Sequence, residues 1–122
     1  MRTIGGIVDV LLVEDDELIL ETLGDALNLA GFDTVRRSSA EAALEAMGED
    51  RPKIVVTDIN LGAGMDGLAF GRAAHARFPD LPIVYISGRY GQVYGLEPCE
   101  RFISKPFPAS VLLRTIAEIQ PE

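Results

Sequence analysis

Glu14, Asp15, Asp16 and Glu17 stand in an unbroken row directly behind the apolar run Val10–Val13. Asp58 closes a second apolar run, Ser87 with Gly88 behind it closes a third, and Lys105 follows Ile103 and Ser104. Each of these has an ordinary reading. Acids in a first helical turn meet the helix dipole favourably. A lone Asp after a strand is often a turn or N-cap residue. A serine there is commonly a polar loop residue, and a lysine before proline a surface charge. Taken together, the residue types suit a different chemistry. Three carboxylates at close range cannot all stay ionised cheaply, and a hard divalent cation relieves them. Mg²⁺ takes oxygen ligands in near-octahedral geometry. A carboxylate ionised at neutral pH can then attack a phosphoryl group and form an acyl phosphate. The transferring group carries negative charge on its oxygens, so positioning and charge stabilisation dominate. The cation would cover one oxygen and the Lys105 ammonium another, and the Ser87 hydroxyl can donate to a third.

That chemistry requires one edge to gather residues spread over 92 positions, from Glu14 to Lys105. The element pattern supplies such an edge. Five short β-branched or apolar runs appear, at Val8–Val13, Asp33–Arg37, Ile54–Asp58, Ile83–Ser87 and Arg101–Ser104. The first, third and fourth are apolar almost throughout, as in strands buried on both faces. Helical spacing lies between them. Ile19, Leu23, Ala26, Leu27 and Ala30 share a face, with Gly31 as a C-terminal stop. Ser38 with Glu41 fits a capping box ahead of Ala43, Leu44 and Met47. Residues Gly67–Phe78 read as a third helix, and Leu112, Ile116 and Ile119 follow Pro108 on one face of a last one.

Strictly alternating strands and helices imply a doubly wound α/β fold with a parallel sheet and right-handed crossovers. Five strands in a chain of 122 residues suggest the flavodoxin-like order 2-1-3-4-5. Its sites lie beyond the carboxyl ends of the strands, where the order reverses between the first and third. Glu14, Asp15, Asp58, Ser87 and Lys105 all fall on that edge.

The totals agree with one domain over residues 1–122. Hydrophobic content of 48% and charged content of 25% are those of a globular chain. A net charge of −8 disfavours direct nucleic-acid binding, since the duplex is a polyanion. The single cysteine, Cys99, excludes an internal disulfide and suits a reducing cytoplasm. No signal peptide or membrane span is expected.

These residues resemble the receiver domains of two-component response regulators. The resemblance runs over essentially the whole chain. It rests on LLVEDDE, on TDINLGAGMDG around Asp58, on YISG with Ser87 and on FISKPF with Lys105. It implies that Asp58 accepts a phosphoryl group from a sensor histidine kinase or phosphotransfer protein, with no enzymatic turnover beyond its own phosphorylation and slow dephosphorylation. It implies Glu14 and Asp15 as an acidic pair, with Asp15 the direct Mg²⁺ ligand, joined by Asp58 and the backbone carbonyl of Asn60. Ser87 would be the switch hydroxyl, Phe102 the switch aromatic and Lys105 the phosphate-pairing lysine. Lys105–Pro106 is expected to be cis. An output protein would read the switch, and a homodimer could form through the face made by the family's fourth helix, fifth strand and fifth helix. Met1 and the full set of elements favour a stand-alone regulator or a phosphorelay shuttle.

Two stretches depart from the family pattern. The loop after Asp58, LGAGMDG, lacks the usual proline and carries one extra residue, with Gly62 and Gly64 adding freedom. Ser87 to Lys105 spans 18 positions, about one helical turn less than usual. Glycines and Pro98 leave only Tyr90–Leu96 for a helix there, one or two turns at most. Two rival classes share parts of the chemistry. A haloacid-dehalogenase-like phosphatase also uses an aspartyl nucleophile, Mg²⁺, a hydroxyl and a lysine, but places its nucleophile at the first strand in a D-x-D motif. A pseudo-receiver would share the fold and act as an unphosphorylated interaction module. His75, mid-helix without a partner motif, reads as a surface or half-buried histidine, and Cys99 as a filler near the last strand.

Overall fold

The computed structural model describes residues 8–48, 51–88 and 95–119. In chain order they form β1 (Val8–Val13), α1 (Glu17–Leu29), β2 (Thr34–Arg37), α2 (Ala40–Met47), β3 (Pro52–Asp58), α3 (Gly67–Arg77), β4 (Ile83–Ser87), β5 (Glu100–Ser104) and α4 (Ala109–Ile119). All strand pairs are parallel, and the sheet order is β2-β1-β3-β4-β5. This is the doubly wound order expected from the alternation of strand and helix patterns. The expected short helix at Tyr90–Leu96 lies largely outside the described residues.

Side-chain alternation divides the core into two layers. Val10, Leu12, Ile54, Val56, Val84 and Ile86 face α1 and α4, packing with Leu20, Leu27, Leu112 and Ile116. Leu11, Val13, Val55, Ile83 and Tyr85 face the opposite way, against Ala40, Ala43 and Met47 of α2 and Phe70 and Ala74 of α3. Successive strand residues point to opposite faces. Strands covered on both faces therefore need apolar residues at every position, which is why β1, β3 and β4 lack a polar alternation. Tyr85 is 3% exposed and belongs to the core.

The helix starts hold the strand ends in place. Asp16 caps α1, its carboxylate accepting from the amides of Leu18 and Ile19, and Glu17 occupies the first turn. The acidic row is thereby divided: two acids serve the helix, and Glu14 and Asp15 are left at the end of β1. At α2 the expected capping box is corrected. The cap is Ser39, whose hydroxyl accepts from the Ala42 amide, so Ser38 is not the N-cap. Glu41 sits in the first turn and reaches outward to accept from the Met65 amide at 3.0 Å. Gly31, at φ +99°, follows the last turn of α1 as the expected stop. Lys105–Pro106 is cis, as expected.

Gly67 fixes the return from β3 to α3. Its amide donates to the Ile59 carbonyl at 2.8 Å. A Cβ there would run into the Asp58 carbonyl oxygen and stand 2.8 Å from the Ile59 Cα. Both obstacles are backbone at the end of the central strand, so neither can swing aside. Gly67→Ala is therefore expected to destabilise the fold by about 2–3 kcal/mol, at the upper end of ordinary overpacking costs. Urea denaturation checks this; an unchanged midpoint would show that the α3 start can slide away from Asp58.

Candidate functional site

Strands β1 and β3 are neighbours, with Val13 opposite Thr57, so one further residue along each brings Glu14 beside Asp58. Strand β4 lies on the other side of β3, with Asp58 opposite Ile86, and β5 follows with Ser104 opposite Ser87. Lys105 is the first residue past β5, and its amide donates to the Ser87 carbonyl at 3.0 Å. Parallel pairing places all these carboxyl ends on one edge, because parallel strands run in one direction. Four positions distant in sequence meet on one edge.

The pocket is built around Asp58, which is 6% exposed. One of its oxygens, Oδ1, accepts from the Asn60 amide at 3.0 Å. The other, Oδ2, accepts from Lys105 Nζ at 2.8 Å. Lys105 Nζ also reaches Glu14 Oε1 at 3.3 Å. Glu14 is buried, whereas Asp15 stands at the exposed mouth. Glu14, Asp15 and Asp58 each offer a carboxylate oxygen, and these oxygens lie within 4.8 Å of one another. Ser87 is fully buried, and its hydroxyl accepts from Asn60 Nδ2 at 3.1 Å. Asn60 therefore ties the hydroxyl to the Asp58 loop through its side chain, a link the sequence reading did not anticipate. Phe102 is half-buried and packs against the α2–α3 layer.

The electrostatics follow from that crowding. Burial, then the hydrogen bond and charge of Asp58, push the Glu14 carboxyl up to about 8, with Lys105 pulling against them. One ammonium does not balance three acids, so the pocket holds a proton on Glu14 at neutral pH. A divalent cation among these hard oxygens would take that proton's place. Burial works against the charge of Lys105. Its hydrogen bond to Asp58 and the fields of Glu14 and Asp58 outweigh this and raise its pKa. The acidic cluster is thus chemically suited to a divalent metal ion, and Lys105 to an anion bound beside it.

A second polar group lies under α3. The Tyr85 hydroxyl donates to Glu100 Oε2 at 2.8 Å, and the Glu97 amide donates to Glu100 Oε1 at 2.8 Å. His75 is half-buried. Its Nε2 lies 2.8 Å from the Leu81 carbonyl and 3.6 Å from Cys99 Sγ, and its Nδ1 lies 3.7 Å from Glu100 Oε2. Burial and Glu100 raise the pKa of the tyrosine. Gly71 makes the crossing possible, because a Cβ there would meet the tyrosine hydroxyl. No spacing in the sequence linked His75 or Tyr85 to Glu100; they meet only through the packing of α3 on β4 and β5.

Comparison with known proteins agrees with this geometry. The family model of the response regulator receiver domain matches residues 10–117. The response regulator protein FleR of Pseudomonas aeruginosa is 37% identical over 113 residues, which cover 88% of this chain and 24% of that protein. The transcriptional regulatory protein PrrA of Mycobacterium tuberculosis is 33% identical over 115 residues, covering 91% of this chain and 48% of that one. The chain thus spans less than half the length of these curated relatives. Among solved structures, a response regulator receiver protein from Sinorhizobium medicae superposes with a TM-score of 0.85 at 30% identity, covering 93% of this chain and 94% of that one. The receiver domain of NtrX from Brucella abortus gives 0.80 at 30% identity, covering 91% and 97%. With a family match over most of its length and an acidic pocket at the switch point of the sheet, the chain belongs to the response regulator receiver domains.

Proposed function

We propose that this receiver takes a phosphoryl group on Asp58 from the phosphohistidine of a sensor histidine kinase or phosphotransfer protein, and thereby changes which protein it binds. The observation that carries the reading is the position of Asp58. It ends the central strand, is 6% exposed, and has Lys105 Nζ at 2.8 Å and the Asn60 amide at 3.0 Å. In the transfer, an Asp58 carboxylate oxygen forms a bond to phosphorus while the phosphorus–nitrogen bond of the donor breaks, and the donor imidazole leaves. Lys105 is placed to pair with a phosphoryl oxygen. Glu14, Asp15, Asp58 and the Asn60 carbonyl are the groups proposed to hold Mg²⁺. The bound cation would supply the charge neutralisation that lets a dianionic phosphoryl group approach three carboxylates.

The switch would run through Asn60 and Ser87. The Ser87 hydroxyl, engaged by the Asn60 side chain, is the group we propose to turn toward the new phosphoryl oxygen. Ser87 heads the crossover to β5, so its movement would reach Phe102 and the face on which an output protein or a second copy docks. A cytoplasmic site, a single domain over residues 1–122 and no direct nucleic-acid contact belong to the same reading. Among the described residues, no helix is long and apolar enough to cross a membrane.

Acetyl phosphate with Mg²⁺ is expected to add one phosphoryl group per chain, and Asp58→Asn to abolish it, as read by intact mass. Equal labelling of the Asn variant would remove Asp58 as acceptor. No labelling of the unaltered protein would point to an unphosphorylated interaction module. Asp15→Ala is expected to weaken Mg²⁺ binding at least tenfold by calorimetry, since one hard ligand of few is lost. An unchanged affinity would leave Asp15 as a solvated helix-start acid.

The raised pKa of Glu14 sets a pH dependence. Below about 8 the folded, metal-free protein keeps a proton on Glu14, and the cation requires the ionised carboxyl. Mg²⁺ affinity is therefore expected to rise between pH 6 and 8, with proton release by up to one proton per ion. The same shift makes metal-free stability fall as pH climbs from about 4.5 toward 8, because the unfolded chain has already released a proton that the folded state retains. Glu14→Gln is expected to flatten both trends. Calorimetry in buffers of different ionisation enthalpy reads the first, and thermal melts the second.

A further inference from the structure

The loop from β3 to α3 carries one residue more than the family pattern and no proline. It runs between two carboxylates. On the pocket side lies Asp15: a Cβ on Gly62, at φ +72°, would stand 3.2 Å from Asp15 Oδ2. On the outer side lies Glu41 of α2, whose Oε2 accepts from the Met65 amide at 3.0 Å. A Cβ on Gly64, at φ +90°, would stand 2.9 Å from that same oxygen. Two glycines in left-handed conformations thus let the backbone lie flush against both acids, which residues with a Cβ would resist. Met65 packs against the α2–α3 core layer immediately beyond the contact, and Asp66 then caps α3 through the Ala69 amide.

Glu41 is in position for this because Ser39, not Ser38, caps α2. With the cap satisfied by serine, the glutamate is free to serve another amide. The hydrogen bond from Met65 holds its carboxyl below the usual range, so it stays an acceptor at neutral pH and well below.

We infer that Glu41 is a positioning residue for the phosphoacceptor pocket, latching the β3–α3 loop at Met65 so that Gly62 lies against Asp15 and fixes where that carboxylate can meet a divalent cation. The latch substitutes for the conformational restriction a proline would give. It acts through the loop and not through its own charge. This rests on the reading of the pocket as an Mg²⁺-dependent phosphoacceptor site.

Two measurements test it on the full chain. The first is hydrogen exchange of the Met65 amide in metal-free protein. The second is Mg²⁺ affinity by calorimetry. Glu41→Ala is expected to speed Met65 exchange at least tenfold and weaken Mg²⁺ binding at least threefold. Glu41→Gln, which keeps an acceptor oxygen and loses the charge, is expected to restore affinity to within twofold. Gly64→Ala, which pushes the loop off the carboxylate, should reproduce the Glu41→Ala effects by an independent route. Loss of affinity in Glu41→Gln equal to that in Glu41→Ala would overturn positioning in favour of long-range charge. Faster Met65 exchange with unchanged Mg²⁺ affinity would overturn the link from latch to pocket. Unaltered protein that fails to bind Mg²⁺ would overturn the phosphoacceptor reading and with it the role of the latch, whereas the exchange of Met65 reports on the latch contact itself.

Discussion

Carboxylates repel one another, and this fold places three of them where β1 and β3 end side by side. Everything around the pocket answers that repulsion. Lys105 is brought across from β5 to touch both Asp58 and Glu14. The Asn60 amide turns back onto Asp58. Glu14 keeps a proton that an exposed glutamate would lose. None of these compensations is complete: one ammonium faces three acids, in a setting where burial strengthens every charge interaction. The remaining imbalance makes the edge receptive to a cation and, through Lys105, to an anion beside it.

The scaffold that imposes this arrangement is stiff where it must be. The three central strands are apolar on both faces, so their register cannot slip by one residue without turning half of each core layer outward. Gly67 presses the start of α3 against the Asp58 carbonyl, which ties the backbone of Asp58 to a helix as well as to a sheet. Between them runs the β3–α3 loop. On one side Glu41 accepts from its Met65 amide, and on the other Gly62 faces Asp15. Such contacts at a surface are individually weak and easily altered.

The second buried cluster sets a different balance. Glu100 opens β5 in a mostly apolar layer and is tolerated because the Tyr85 hydroxyl and the Glu97 amide meet its two oxygens, with His75 nearby. A buried acid without such partners would be costly. The arrangement anchors the chain where it re-enters the sheet after the crossover.

Local patterns in the sequence were enough for the strands, most helix positions and the sheet order, because each depends on spacing and on the alternation of elements along the chain. The joint occurrence of Glu14, Asp15, Asp58, Ser87 and Lys105 at run ends was enough to mark the pocket, since parallel strands bring their carboxyl ends to one edge. Ser38 with Glu41 shows where this reasoning stops. The spacing of a capping box was present, but Ser39 was an equally good cap, and the glutamate's partner lies 24 residues away at Met65. The division of the acidic row is of the same kind: Asp16 belongs to the helix and Asp15 to the pocket, though they are neighbours of identical type. Asn60 reaching Ser87, and Tyr85 meeting Glu100 through the notch at Gly71, likewise depend on which elements pack together. Periodicity along the chain determines which face a residue occupies. Only the packed structure decides which of several able partners it meets there, because hydrogen bonds act over about 3 Å between groups whose separation in sequence carries no information about their separation in space.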